Sequence, residues 1–327
     1  MKTYSARWVA VLSLFLSIPA LLAQTQPVDL RLQVTNPFRF VAYGDTRFTD
    51  SADTNASNPD VRRALVQAID AARPAFISIG GDIAYNGNDP KDWQIWDAET
   101  SIWRQHNIPV YPALGNHDLH GDQKVALANY FQRFPELHES RYYAVRAANT
   151  LMLVLDSSLD ELSGPQGGWL TQELDHIPGD VDFVVLVFHH PPYTSSSDAK
   201  THGGGHSARA PEQALAKMIE ARQQHATACF VVFSGHVHNY ERHERNGVVY
   251  FVTGGGGAHA YPIDRGPGDP YPDHRINYHY LLVEVDRSKL TVTMNRLELS
   301  DGKATWTKPD SVTIAVPARQ VAKEVFR

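Results

Sequence analysis

Cysteine is all but missing from this 327-residue chain: Cys229 stands alone in the apolar run Ala228 to Phe233, so no internal disulfide can form. In that setting the thiol reads as a small buried hydrophobe rather than a reactive group. A basic excess is missing too. The formal net charge is −6, which offers no electrostatic footprint for polymeric nucleic acid and directs attention to small substrates. No internal repeat or low-complexity stretch stands out, and no phosphate-loop lysine follows the glycine run Gly254 to Gly257. That run therefore reads as a tight backbone passage rather than a phosphate cradle. With 43% hydrophobic and 20% charged residues, the composition is that of a globular chain able to bury a sizeable core.

The N-terminus is the one place with a long apolar stretch. Lys2 and Arg7 precede Trp8 to Ala23, and Ala-Leu-Leu-Ala stands ahead of Gln24, so residues 1–23 read as an export signal, periplasmic or secreted. The alternative is a retained anchor. Against it, the run is interrupted by serines and Pro19 and falls short of the ~20 apolar residues a span requires. Loss of Lys2 and Arg7 with the signal takes the net charge from −6 to −8. Residues 24–37 read as a lead-in, 38–316 as one catalytic domain and 317–327 as a tail.

What the chain does have is a repeated syntax: apolar runs that stop abruptly in Asp, Asn or His. They are Phe-Val-Ala-Tyr-Gly-Asp45, Phe-Ile-Ser-Ile-Gly-Gly-Asp82, Tyr-Pro-Ala-Leu-Gly-Asn116-His117-Asp118, Phe-Val-Val-Leu-Val-Phe-His189-His190, and the run into Gly235-His236-Val237-His238. Continuous apolar runs are the mark of strands buried on both faces, and sites in open α/β sheets lie outside the carboxyl ends of the strands. Five strand ends carrying oxygen and nitrogen donors thus converge on one rim. His236 and His238, two apart in extended chain, point the same way. Helical spacing over 60–72, 89–105, 124–134, 169–176 and 211–224 alternates with strand runs at 38–43, 75–79, 108–114, 142–146, 151–155, 183–188 and 227–233. Trp93, Trp96 and Trp103 on one of these helices read as packing residues. Beyond residue 240 the pattern is mostly β.

The ordered blocks Gly44-Asp45, GDIAY, GNHD, VFHHPP and GHVH resemble those of the calcineurin-like metallophosphoesterases, and more narrowly the purple acid phosphatases, from Phe40 to Tyr240. The resemblance implies a four-layer α/β sandwich of two mixed sheets flanked by helices. It also implies two metal ions bridged by Asp82. One ion would have Asp45, Asp82, Tyr85 and His238, and the other Asp82, Asn116, His189 and His236. A bridged pair supplies a hydroxide for in-line attack on a phosphoryl group. His117 would bind phosphate or donate a proton to the leaving oxygen, Asn116 would also face the substrate, and Asp118 would orient the His117 ring.

Two departures from the common family pattern matter. Most members begin with Asp-x-His, where this chain has Asp45-Thr46-Arg47, so one imidazole is missing. Tyr85 stands where the purple branch carries a phenolate suited to Fe(III), with Zn, Mn or Fe as the divalent partner ion; a hydrogen-bonding loop tyrosine is the other reading. Arg47 reads either as a phosphate contact or as a surface ion pair. His202 and His206 flank a triple glycine and read either as phosphate contacts or as solvated loop residues. The expected function is hydrolysis of small phosphate monoesters by an exported dinuclear enzyme. A phosphodiesterase on the same metal core and a catalytically silent metal or phosphate binder are the alternatives, and an intact His117 argues against silence. Oligomeric state is not encoded in these motifs.

Overall fold

The structure, a computed structural model, describes residues 27–196, 206–266 and 269–316; the segment 1–23, His202 and the tail 317–327 lie outside them. Along the chain come β1 (Asp29–Leu32), β2 (Phe38–Tyr43), α1 (Pro59–Ala71), β3 (Ile77–Ile79), α2 (Pro90–Glu99), α3 (Ser101–Gln105), β4 (Val110–Pro112) and α4 (Gln123–Arg133). Next come β5 (Tyr143–Ala147), β6 (Thr150–Val154), α5 (Gly164–Asp175), β7 (Phe183–Val187), α6 (Ala210–Gln223), β8 (Cys229–Ser234), β9 (Tyr240–Arg245) and β10 (Val248–Thr253). The described chain closes with β11 (Tyr278–Asp286), β12 (Lys289–Ser300), β13 (Lys303–Thr307) and β14 (Ser311–Ala315).

The strands form two mixed seven-stranded sheets. One has the order β1-β5-β6-β7-β8-β10-β9, and the other β13-β12-β11-β2-β3-β4 with β14 also on β12. Between them lies an aromatic-rich core. Phe40 stacks on Phe76 at 4.7 Å and meets Phe233 of the facing sheet edge-on at 6.3 Å, while Phe233 stacks on Phe251 at 5.2 Å. Each such ring buries ~150–250 Å², which makes these contacts the main tie between the sheets. Leu170 and Leu174 of α5 and Leu215 and Ile219 of α6 cover the outer face of the first sheet. On the second sheet's outer side, α1 buries Val61, Leu65, Val66 and Ile69, and the Asn58 side chain accepts from Asp60 and Val61 N–H to cap it. The result is the expected four-layer sandwich.

Trp93, Trp96 and Trp103 are core residues, as their spacing predicts. The Trp93 indole N–H donates to Gly87 O at 2.8 Å and that of Trp103 to Val66 O at 3.1 Å. Their single predicted helix is interrupted at buried Thr100, whose hydroxyl donates back to Trp96 O at 2.6 Å. The stretch read as a lead-in holds β1, which pairs in parallel with β5. Two further strands escape the apolar pattern. β13 is exposed along its length, and β9 fills its inward positions with polar groups, Glu241 accepting from Thr194 Oγ and Ser195 N–H. Both belong to hairpins whose turns are Asn246-Gly247 and Asp301-Gly302, all four residues at positive φ.

The glycine run after β10 lies against the loops that follow β2 and β8. A Cβ at Gly254 would run into the Val237 carbonyl, and one at Gly256 into the Gly44 carbonyl. Gly168, by contrast, lies in α5 with nothing within 4 Å of a Cβ. Gly254→Ala is therefore expected to destabilise the protein by ~1–3 kcal/mol. Gly168→Ala should stabilise it by about 0.4–1 kcal/mol, since a helical site accepts the methyl without strain. Urea midpoints of the two variants that move in the same direction would contradict this packing.

Candidate metal centre

Strand register decides which polar residues meet. In the second sheet Tyr43 pairs with Ile79 and Ile79 with Pro112, so the turns holding Asp45, Asp82 and Asn116 leave at one level. In the first sheet Val187 pairs with Phe233, which brings His189 and His236 out together. The two sets join where Gly235 N–H donates to His189 O at 2.9 Å and His189 Nδ1 meets Gly80 O at 2.8 Å. At Asp45, Asp82 and His236 the backbone turns into the left-handed region, with φ of 58°, 54° and 70°. Such a conformation costs a residue with a side chain about 1–3 kcal/mol and recurs at functional sites. Gly81 is left-handed as well, at φ 91°, and a Cβ there would sit 2.7 Å from His189 Nδ1.

On one side of buried Asp82, four atoms able to ligate a cation crowd together. Asn116 Oδ1 lies 3.0 Å from His189 Nε2 and 3.1 Å from His236 Nδ1, the two ring nitrogens are 3.2 Å apart, and Asp82 Oδ1 is 3.4 Å from His189 Nε2. The Gly80 carbonyl takes the Nδ1 proton of His189, so its Nε2 presents a lone pair. Oxygen and imidazole nitrogen donors set this close are a ligand set that suits a cation. Asp45, Asp82 and His189 form a group of ligand atoms within 4.8 Å of one another, and so do His189, His190 and His236. His190, whose Nδ1 lies 2.8 Å from Ser157 Oγ, packs its ring 4.4 Å from that of His236.

On the other side, Asp45 receives the His236 N–H at 3.0 and 2.9 Å on its two oxygens and lies 3.6 Å from His238 Nε2. His238 Nδ1 is 2.7 Å from His259 O, while its buried Nε2 has no hydrogen-bond partner. A buried, unpartnered imidazole nitrogen beside the Asp45 carboxyl is the arrangement a metal ligand presents. Arg47 is not on the surface: its Nε and Nη2 donate to Asp82 Oδ2 at 3.3 and 3.2 Å. Burial opposes the charge on Asp82, yet His189, His117 and Arg47 together hold that carboxyl well below the usual range. Asp45 is raised, by burial first and then by the Asp82 charge. Burial also lowers the rings of His189 and His238.

His117 opens a 3₁₀ turn, His117–Leu119, at the rim. Its N–H donates to Asp82 Oδ1 at 2.9 Å, and its Nδ1 meets Tyr85 O at 2.7 Å, which leaves Nε2 as the outward nitrogen. Burial lowers this ring's pKa to about 4. The partner that orients the ring is thus the Tyr85 carbonyl, and the expectation for Asp118 is corrected. Buried Asp118 accepts Ile83 and Ala84 N–H on Oδ1 at 2.9 and 3.1 Å and Gly115 N–H on Oδ2 at 2.9 Å, fastening the Asp82 and Asn116 loops together. Three backbone donors closer in sequence and space outcompete an imidazole for its lone pairs. The Tyr85 ring stacks on His117 at 5.3 Å.

Three neighbours of the site were not foreseen. His120 lies 4.1 Å from His117 ring to ring; the i, i+3 eclipse of a 3₁₀ turn was the available signal. Tyr261 accepts the His238 N–H at 3.3 Å, and His259 supplies a carbonyl, both from the loop beyond the glycine run, where local sequence carries no sign of it. His206 does reach the centre, its ring 4.9 Å from His236 and 5.6 Å from His238. His202 lies outside the described residues.

A profile described as calcineurin-like phosphoesterase matches residues 38–240. Purple acid phosphatase 1 of Ipomoea batatas is 25% identical over 236 residues, 66% of this chain and 46% of the relative. Phosphoenolpyruvate phosphatase of Allium cepa is 27% identical over 201 residues, 56% of this chain and 39% of the relative, so the chain spans less than half the length of these curated relatives. Among solved structures, the yellow lupin purple acid phosphatase PPD1 superposes with a TM-score of 0.64 at 18% identity, over 86% of this chain and 54% of that one. GAP50 of Plasmodium, described as the anchor in the inner membrane complex, gives 0.60 at 15% identity over 87% and 90%. At those identities the likeness is one of fold. The profile covers more than half of the chain and takes in all five motif blocks, and the chain belongs to the calcineurin-like phosphoesterase family.

Proposed function

We propose that this chain is an exported phosphatase that hydrolyses small phosphate monoesters at a centre of two metal ions bridged by Asp82, with residues 38–316 as its catalytic domain. The observation that carries the reading is the convergence of potential ligand atoms from Asp82, Asn116, His189 and His236, set beside the unpartnered His238 Nε2 and Asp45. Asn116, His189 and His236 would hold one ion, Asp45, Tyr85 and His238 the other. When bound, the ions supply Lewis-acid charge that activates water and neutralises the phosphoryl oxygens. Among the described residues no helix is long and apolar enough to cross a membrane.

The remaining steps belong to side chains. His117, held by Tyr85 O, presents Nε2 to the substrate as phosphate binder or as proton donor to the leaving oxygen. Asn116 and His206 face the same rim, and His202, four residues before His206, and Arg47, beside Asp82, are further candidate phosphate contacts. The names of two relatives, a purple acid phosphatase and a phosphoenolpyruvate phosphatase, support a monoester of low mass as substrate.

Turnover of p-nitrophenyl phosphate should exceed that of bis-p-nitrophenyl phosphate, with two ions counted per chain and both lost in Asp82→Ala. A preference for the diester would move the substrate class, and two ions retained in Asp82→Ala would remove the bridge. His117→Ala should keep both ions and lose rate roughly 10²–10⁴-fold, most for alkyl esters, whose leaving oxygen is the most basic. Equal losses for alkyl and nitrophenyl esters would make His117 a phosphate binder instead. The Tyr85 phenolate is proposed to hold Fe(III), with Zn, Mn or Fe as the divalent ion opposite. The purified protein should then show a visible charge-transfer band that Tyr85→Phe abolishes; a colourless protein, active with two divalent ions and indifferent to Tyr85→Phe, would exclude the phenolate.

A further inference from the structure

His117, His189 and His238 turn Nδ1 to backbone carbonyls, whereas His190 turns its Nδ1 to a hydroxyl, Ser157 Oγ at 2.8 Å. Ser157 stands three residues beyond β6 and is buried, with its position fixed from two sides. Its Oγ takes the backbone N–H of His190 at 3.1 Å, and its carbonyl takes Arg209 Nη2 at 2.6 Å. A hydroxyl has one proton and two lone pairs. One lone pair already holds the His190 N–H. Were the ring also to donate from Nδ1, both lone pairs would be filled, and the hydroxyl proton would be buried with no acceptor among the described residues. In the reverse arrangement the hydroxyl donates to Nδ1, every group is paired, and the ring proton stands on Nε2.

That proton changes what the residue can do. The His190 ring packs 4.4 Å from that of His236 and 4.9 Å from that of His189, and a ring nitrogen lies within 4.8 Å of theirs, so position alone would admit it to the ligand set. A metal ligand needs a lone pair, however, and here Nδ1 is committed to Ser157 and Nε2 to its own proton. Among the described residues none accepts from Nε2, and His190 keeps 7% exposure. An N–H donor held rigidly beside the centre is matched to an anionic oxygen.

We propose that His190 is a substrate-binding residue whose Nε2–H donates to a phosphoryl oxygen on the His236 side of the centre, and that Ser157 is the positioning residue that fixes this tautomer. The proposal rests on the phosphatase reading above and adds to it a neutral donor that is not a metal ligand. The two kinds of imidazole are then told apart by what holds Nδ1. A carbonyl there leaves Nε2 a lone pair for a ligand, and a hydroxyl that already accepts an N–H leaves Nε2 a proton for the substrate.

Two measurements test it. In ¹⁵N-histidine spectra of the chelator-treated full chain, with the His190 signals identified by their loss in His190→Gln, Nε2 should be protonated and Nδ1 bare. Ser157→Thr, which keeps the hydroxyl, should preserve that pattern, and Ser157→Ala should lose it. In the zinc-loaded enzyme the inhibition constant of inorganic phosphate, read against p-nitrophenyl phosphate, should rise roughly tenfold in His190→Ala with the zinc count per chain unchanged. His190→Gln, which carries an N–H in a similar place, should recover most of that loss. A protonated Nδ1 in the wild type, a phosphate constant indifferent to His190→Ala, or loss of a zinc ion in His190→Ala, which would make the residue a ligand, overturns the proposal. Should His190→Ala fail to fold by its melting curve, Ser157→Ala decides, its phosphate constant rising with the zinc count unchanged. A wild type that binds no zinc and turns over no p-nitrophenyl phosphate would remove the phosphatase reading and the substrate contact with it; the spectra, which need no metal, keep that failure apart from a wrong tautomer.

Discussion

A carboxylate removed from water is the constraint on which the rest of this protein turns. Asp82 is fully buried, and an isolated carboxylate in that position would be strongly unfavourable. Its charge persists because each oxygen is met: Oδ1 by the His117 N–H and His189, Oδ2 by the Arg47 fork. Those partners come from three stretches far apart in the chain, so compensating one side chain obliges the loops after β2, β4 and β7 to arrive at the same point. In-register parallel strands are what deliver them there.

Close approach then dictates local chemistry. The loops bend sharply enough that Asp45, Asp82 and His236 sit at positive φ, and the backbone between them runs so near its neighbours that Gly81, Gly115, Gly235 and Gly254 have no room for a Cβ. The strain is borne because so many contacts fix these residues at once. A second regularity concerns the imidazoles. His117, His189 and His238 each place Nδ1 against a backbone carbonyl, of Tyr85, Gly80 and His259 respectively. One device therefore fixes three rings in the same tautomer and turns each Nε2 toward the chemistry. Asp118 completes the frame by fastening two loops through their N–H groups rather than by touching an imidazole.

Legibility in the sequence followed burial. Strands buried on both faces, such as β6, β7 and β8, are unbroken apolar runs and could be read directly; so could the helices with a single buried stripe, such as α1. β9 and β13 were not, because one buries polar groups that are satisfied by partners remote in sequence and the other buries nothing. Within the site, the residues that end apolar strands were legible, since a donor at the end of a core strand has few other reasons to recur. Tyr261 and the His259 carbonyl were not, because they reach His238 from a loop of ordinary composition.

The family, the layered fold and the polar residues that end the core strands were already legible in the sequence, because those depend on which residue types follow which apolar runs. Tertiary structure alone decided the partnerships: that Arg47 binds the Asp82 carboxylate rather than solvent, that Tyr85 O and not Asp118 holds the His117 ring, and that His206 comes within 4.9 Å of His236. The physical reason is distance. A side chain's type is written at its own position, but the charge or lone pair that it satisfies is set by whichever loop packing brings within about 3 Å, and that is a property of the folded whole.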